Sequence, residues 1–194
     1  MHHYAEREFS VLRETIRSRG SLRPLVLLAG ISAWAAVLVA VLAWLPNPIA
    51  SAVPLVVLLA TLEALRTLHL AVERIGRYIQ AFFEEDPDRG APSGAPAWEH
   101  TAMQFGPSLP GAGGHPYFLA VFLLATVVNF LAVLFPGPLP VEMMTLAVPH
   151  LAFIVWLIYC DRGMRKQRTA ELARFRELRA RLSNGRDTPS VHSV

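Results

Sequence analysis

The chain has 194 residues, 53% of them hydrophobic and only 17% charged, whereas soluble globular domains carry about 25% charged residues; the deficit argues against a water-soluble domain and for a membrane protein. A single cysteine, Cys160, excludes an intrachain disulfide and every metal motif built from paired cysteines. The net charge of +3 rests on 18 basic residues, all arginine except Lys166, and this bias, with abundant Ala, Pro and Gly, suggests a bacterium with a GC-rich genome.

Residues 1–21 read as an amphipathic helix, with Ala5, Phe9, Leu12 and Ile16 on one face and Gly20 as its end. Glu6, Glu8 and Glu14 dilute its basic side, which favours packing on another helix over lying on anionic lipid. A spanning helix needs about 20 mostly apolar residues, and the first candidate occupies 22–45. Its apolar run is too long for a signal-peptide core. Ser32, Ala36 and Ala40 give it a small-residue strip suited to close helix packing. The joint WLPNPI is short and Pro-rich, so the second span is expected to return as a tight hairpin.

That second helix, 48–85, poses the main question of the sequence. Residues 49–62 carry no charge, and then Glu63, Arg66, His69, Glu73, Arg74 and Arg77 follow closely. Either a membrane helix holds a buried charged site or it is leaving the membrane. The apolar positions Leu65, Leu68, Val72, Ile75, Ile79 and Phe82 are spaced 3, 4, 3, 4, 3, the seam of helices packed side by side. Glu63, Arg66, Glu73, Arg74, Arg77 and Glu84 fall on the side away from that seam, where solvent is expected. The pattern therefore favours a span of about 48–65 continued by a cytoplasmic extension to 85. Glu63 lies slightly inside the boundary, and Arg66 is its expected partner three residues on.

Residues 86–116 are a Gly- and Pro-rich cytoplasmic loop, interrupted by an island at 97–105 where Trp98, Met103 and Phe105 call for a short helical turn. The third span is 117–135, and the joint LFPGPLP leads into a fourth helix over 141–182. Its first part, to residue 160, spans, and the rest is an Arg-rich extension with an apolar strip of Leu172, Phe175, Leu178 and Leu182. Arg165, Lys166, Arg168, Arg174, Arg176, Arg179 and Arg181 on that extension are candidates for binding a partner or acidic lipid headgroups, although such a patch also simply enforces topology. Asn184 and Gly185 signal a stop, and 183–194 read as a disordered tail. The tripeptide AVP recurs after each joint, at Ala52–Pro54 and Ala147–Pro149, which is either chance or the trace of a duplicated hairpin. Neither joint contains a basic residue, so both termini and the central loop are placed on the cytoplasmic side of the inner membrane.

No motif for hydrolysis, nucleotide binding or metalloprotease chemistry occurs. His69 and Glu73, four apart on one helix, with Glu99, His100 and His115 in the loop, form a weak candidate metal set. His69 and His150 differ too much in depth for one haem between them. Glu63, Arg66, Asn129 and His150 are the intramembrane polar candidates. His150 follows Pro149, whose missing N–H loosens the helix, and Asn129 on the third span is expected to hydrogen-bond to it.

The expectation is an all-α polytopic membrane protein of four transmembrane helices in two tight hairpins, helices 2 and 4 extending into a cytoplasmic helical layer. The favoured function is a non-catalytic scaffold or accessory subunit of a larger membrane complex, without cofactor. Its partners would be membrane lipids and protein, in a homo- or hetero-oligomer, and not nucleic acid. The alternatives are a homo-oligomeric channel or transporter, and a metal-dependent membrane enzyme using the His/Glu set.

Overall fold

A computed structural model of the protein describes residues 2–45, 47–85, 115–134, 137 and 139–186. Among them the secondary structure is entirely helical: α1 (His2–Trp44), a 3₁₀ turn (Pro48–Ser51), α2 (Ala52–Ile79) continued by a π turn (Gln80–Glu84), α3 (His115–Val133) and α4 (Pro140–Arg186). Three of these helices are long and apolar enough to cross a membrane, in α1, α2 and α4, and α3 contributes a shorter apolar stretch, Phe118–Ala132. The loop 86–114, with its island at 97–105 and the residues Glu99 and His100, lies outside the described residues, as does the tail from 187; the side chains of His115 and Arg165 are also not described.

Local chemistry accounts for the helix ends. Asn47 is extended, and its side chain accepts from the Ile49 N–H at 2.9 Å, with Pro48 at the first helical position where a missing N–H costs nothing. Gly137 has φ +69°, a left-handed conformation that only glycine adopts without strain, and it turns the chain toward α4. Pro140 opens α4, and the Glu142 carboxylate reaches back to the Leu139 N–H at 2.9 Å, which is one half of a capping box. By contrast, Gly20 and Pro24 do not interrupt α1. The break expected between an N-terminal helix at 1–21 and a span at 22–45 is absent. Asn184 and Gly185 do not stop α4 either, since it runs to Arg186.

The chain divides into two compact units: one takes in residues 1–18, 71–112 and 165–194, the other 19–70 and 113–164. The second unit is built on an apolar core of Trp34 and Leu38 from α1, Leu55, Leu58, Leu62 and Leu65 from α2, Phe122, Ala125 and Ala132 from α3, and Phe153 and Leu157 from α4. Burying each large side chain of this kind is worth about 1.5–3 kcal/mol relative to water. α1 and α2 approach each other at Gly30, where an added Cβ would stand 2.1 Å from Cγ2 of Thr61. The small-residue strip anticipated for this contact is not the one used: Ser32 and Ala36 are exposed, while Gly30, Trp34 and Leu38 meet the core.

The first unit is held by aromatic rings and ion pairs. Phe9 meets Phe83 at 5.5 Å, and Tyr78 lies 5.9 Å from Phe175. The Tyr78 hydroxyl donates to Glu8 at 2.9 Å and Arg13 reaches Glu84 at 3.6 Å, so the start of α1 packs on the end of α2. Of the 3-4 seam of α2, Leu65 and Ile79 are buried while Leu68, Val72 and Ile75 are only partly so, and the buried positions between them are His69, Gly76 and Arg77; beyond Ile79 the phase shifts. The π turn, in which the Glu85 N–H bonds to the Gln80 carbonyl at 3.0 Å, inserts a residue into the phase, so that Phe83 rather than Phe82 is the buried ring.

Gly30→Val is expected to lower the unfolding temperature by several degrees, through overpacking of about 1–3 kcal/mol against Thr61. Gly20→Ala, whose new Cβ would meet nothing within 4 Å, should raise stability by up to about 1 kcal/mol as a helix-interior glycine is replaced. Thermal unfolding of the two purified variants, side by side, reads both signs.

Candidate functional site

Three constellations contain the polar residues singled out in the sequence. The deepest is centred on Asn129, which is fully buried. Its Oδ1 accepts from Trp34 Nε1 at 3.3 Å, and its Nδ2 donates to the Ser51 carbonyl at 2.9 Å and meets His150 Nε2 at 2.9 Å. His150 Nδ1 stands 2.7 Å from the Leu146 carbonyl, in the turn preceding Pro149. These contacts fix one proton arrangement. An indole N–H can only donate, so it sets the orientation of the amide; the amide nitrogen then faces Nε2, which must accept. The ring proton is therefore on Nδ1, directed at a carbonyl that can only accept. All four members find partners, and the imidazole is neutral. The knot ties α1, the 3₁₀ turn, α3 and α4 together. Sequence reasoning paired Asn129 with His150 but missed Trp34 and Ser51. An indole N–H in the middle of an apolar helix was the available signal, since it needs an acceptor when buried.

The second constellation is the Glu63 site. Arg66 Nε donates to Glu63 Oε2 at 2.8 Å and Nη2 stands 2.7 Å from the same oxygen. Glu63 Oε1 accepts from Trp156 Nε1 of α4 at 2.9 Å. Both charged side chains are about one-third exposed (34% each). Glu63 and Trp156 stand at one end of an apolar groove of about 550 Å³ between α2 and α4, lined along its length by Ala52, Leu55, Leu59, Pro149, Ala152 and Phe153. Nothing in the sequence reading anticipated the groove or the role of Trp156. Beside Arg66, His69 is buried and lines a small pocket with Cys160 and Asp161.

The third is an ion-pair lattice in the first unit. Arg77, expected to face solvent on α2, does not: it is only 3% exposed, bonded to Glu73 at 3.1 Å and to Glu171 of α4 at 3.0 Å, whereas Arg74 stays exposed and reaches Glu171 at 3.2 Å. The correction has a simple cause. The Arg-rich part of α4 presents Glu171 and covers the face that the α2 pattern alone would leave open. Arg176 forms a two-pronged pair with Glu85 at 3.0 and 2.6 Å, and Arg179 donates to the Ala81 carbonyl of the π turn at 2.7 Å. Arg168 lies 3.9 Å from Glu73. Arg168, Arg176 and Arg179, named as partner-binding candidates, thus have partners inside the chain. Lys166, Arg174 and Arg181 are exposed, and the last two also pair with Glu177 on their own helix. The Arg176 hydrogen bond pulls the Glu85 carboxyl below its ordinary value of 4.5, and the same pairing raises Arg176. For Glu171, burial pushes upward, but the Gln167 hydrogen bond and the charges of Arg77 and Arg74 together bring it below 4.5.

As for metal, Glu73 is engaged by Arg77 and Arg168, and among the described residues no group of three or more His, Cys, Asp or Glu side chains comes together.

Asn129→Leu removes the acceptor of Trp34 and the donor to His150, and is expected to cost about 1–3 kcal/mol. A double-mutant cycle of Asn129→Leu with His150→Leu should give a coupling energy of at least about 0.5 kcal/mol, since the two share a hydrogen bond. The carboxylates of the first unit set a pH dependence. Both Glu85 and Glu171 have depressed folded-state values, so their contribution is fully present above the unfolded value of 4.5 and is lost as pH falls through the lower folded values. Stability of the wild type should therefore be flat in these terms near neutrality and decline below about pH 4.5, with a shallower decline in Glu171→Gln, as measured by thermal unfolding across pH.

No protein-family model, curated protein or solved structure matches this chain.

Proposed function

We propose that the protein is an integral membrane protein of four spans, with both termini and the central loop in the cytoplasm, acting as a non-catalytic scaffold or accessory subunit of a larger membrane complex. The observation that carries this reading is the closed hydrogen-bond knot at Asn129. A conduction path or a reaction centre within the spans needs polar groups turned toward a passage or a substrate. Here the deepest ones, Asn129 and His150, are turned toward each other, Trp34 and the backbone, and act as interhelical ties.

Membrane insertion is supported by what the second unit leaves uncovered. Leu28, Leu124, Val155 and Tyr159 are each at least 65% exposed, on helices that each carry an apolar stretch. An aqueous surface of that kind is a liability, whereas hydrocarbon accepts it. The short α3 stretch is counted as a span because it carries Phe122, Ala125 and Asn129 into the core of the same unit. Orientation follows from the 18 basic residues, none of which lies in a joint between paired helices. The partner surface is assigned to the exposed basic residues of α4 in the first unit, Lys166, Arg174 and Arg181.

Native mass spectrometry from mild detergent should find the chain in an assembly with other polypeptides, and Lys166→Glu with Arg181→Glu should dissociate it without lowering the unfolding temperature. Reporter fusions at both termini should be active only as cytoplasmic reporters. A closed homo-oligomer whose vesicles lose ion flux on Glu63→Ala or His150→Ala would instead establish a channel, and stoichiometric metal would direct attention to His69 and Glu73.

A further inference from the structure

The groove between α2 and α4 has a shape and a charge pattern that select an occupant. Its α2 wall runs from Ala52 to Glu63, eleven steps or about 16 Å at 1.5 Å per residue, close to one leaflet of a hydrocarbon core about 30 Å thick. Leu55 and Phe153 form a buried floor, while Ala52 and Ala152 are too small to fill the space above it. Pro149 contributes no backbone donor to the wall. A single extended hydrocarbon chain of about that length fits within the 550 Å³ present.

The end of the groove is different in kind. There the chain places one carboxylate and one guanidinium side by side, both one-third exposed, and steadies the carboxylate with the Trp156 N–H. Arg66 directs Nε and Nη2 at Glu63. Its Nη1 is engaged by no other described residue, so a donor remains for an incoming oxyanion. The pair is neutral as a whole but polar in a defined direction. Its complement is a zwitterion with a phosphate for the guanidinium and an N–H-bearing cation for the outer lone pairs of the carboxylate. A headgroup with only an anionic phosphate would leave Glu63 facing like charge. A quaternary ammonium would offer the carboxylate no hydrogen bond.

We propose that this groove is a lipid site that holds one acyl chain of an ammonium-bearing zwitterionic phospholipid, phosphate on Arg66 and ammonium on Glu63. The proposal rests on the membrane reading given above and adds a ligand to it. No covalent step is involved: the lipid is a bound structural partner, drawn from the bilayer itself.

The test uses the full chain reconstituted into vesicles of equal parts phosphatidylethanolamine, phosphatidylglycerol and phosphatidylcholine, then released into mild detergent for native mass spectrometry with identification of retained lipid. One phosphatidylethanolamine per chain is expected, in preference to the other two by about tenfold, the scale of one charge-assisted hydrogen bond. Ala152→Trp, which fills the groove, should abolish retention. Arg66→Gln, at a one-third-exposed position that leaves the groove intact, should remove the headgroup preference while the fold is kept. Equal retention of the three lipids by the wild type overturns the proposal, as does unchanged retention in Ala152→Trp. A co-purifying polypeptide lost on Ala152→Trp, with no lipid retained, assigns the groove to a partner's helix and overturns it too. A chain that inserts into vesicles but keeps no phosphatidylethanolamine sinks the lipid site alone, whereas a chain that stays in the aqueous fraction and resists incorporation sinks the membrane reading and this proposal with it.

Discussion

The amide of Asn129 constrains the second unit more than any apolar contact does. Core side chains such as Leu58 and Phe122 are interchangeable with others of similar volume at modest cost, because dispersion and burial are indifferent to direction. A buried primary amide is not. It offers an acceptor oxygen and two donor hydrogens, and where water is excluded each unmet group carries a penalty. Here the oxygen takes the Trp34 N–H and the nitrogen serves the Ser51 carbonyl and the His150 ring. The arrangement works in only one orientation of the amide and one tautomer of the ring. Three helices and the 3₁₀ turn must therefore meet in a single register, and directional bonds enforce that register where apolar contacts alone would let helices slide.

The local features around the knot follow from the same need. The 3₁₀ turn capped by Asn47 brings the Ser51 carbonyl to the start of α2. Pro149 weakens the ladder of α4, and a carbonyl in the preceding turn, that of Leu146, accepts the ring N–H of His150. In the first unit the currency is different. Arginine and glutamate on three helical segments interlock, and every pair sits where water reaches at least one partner. Single exposed pairs of this type contribute little. Glu171 is the exception in kind, because it meets two arginines and a glutamine at once and one of those arginines, Arg77, is almost wholly buried. Removing Glu171 would leave that guanidinium buried with only Glu73 beside it.

Helix content and the long apolar helices were legible because they depend on composition and on runs of residues, which a single sequence displays directly. The pairing of Asn129 with His150, and of Glu63 with Arg66, was legible for a similar reason: few polar residues lie in the apolar stretches, so the choice of partners is small. What was not legible depended on a second helix. The seam of α2 was legible at Leu65 and Ile79, yet Arg77 on its charged side was assigned to solvent, because nothing within α2 reveals that Glu171 will bond to it. The π turn was equally hidden. It moves burial from Phe82 to Phe83, and no residue at 80–84 distinguishes such a turn from an ordinary α turn. Gly20 and Pro24 misled in the opposite direction. A proline one turn after a glycine commonly ends a helix, but these two lie within one continuous helix.

The groove and the knot belong to the same unit and show why one interface of α2 is closed and the other open. Toward α1, Gly30 lets the backbone approach until Thr61 occupies the place of a side chain, so the two helices leave no gap. Toward α4, Ala52, Pro149 and Ala152 leave space above the floor of Leu55 and Phe153, while the knot at one level and the Trp156–Glu63 hydrogen bond at another hold the helices in register. Small residues between two fixed points produce a cavity rather than a contact, since neither helix can move in to close it. A void of this size in a close-packed interior would be costly through lost contacts. Open to the side, on a surface that is otherwise bare of polar groups, it costs little if hydrocarbon fills it. The geometry that makes α2 and α4 stand apart is thus the same geometry that places a carboxylate and a guanidinium at the mouth, the two features on which the proposed lipid site draws.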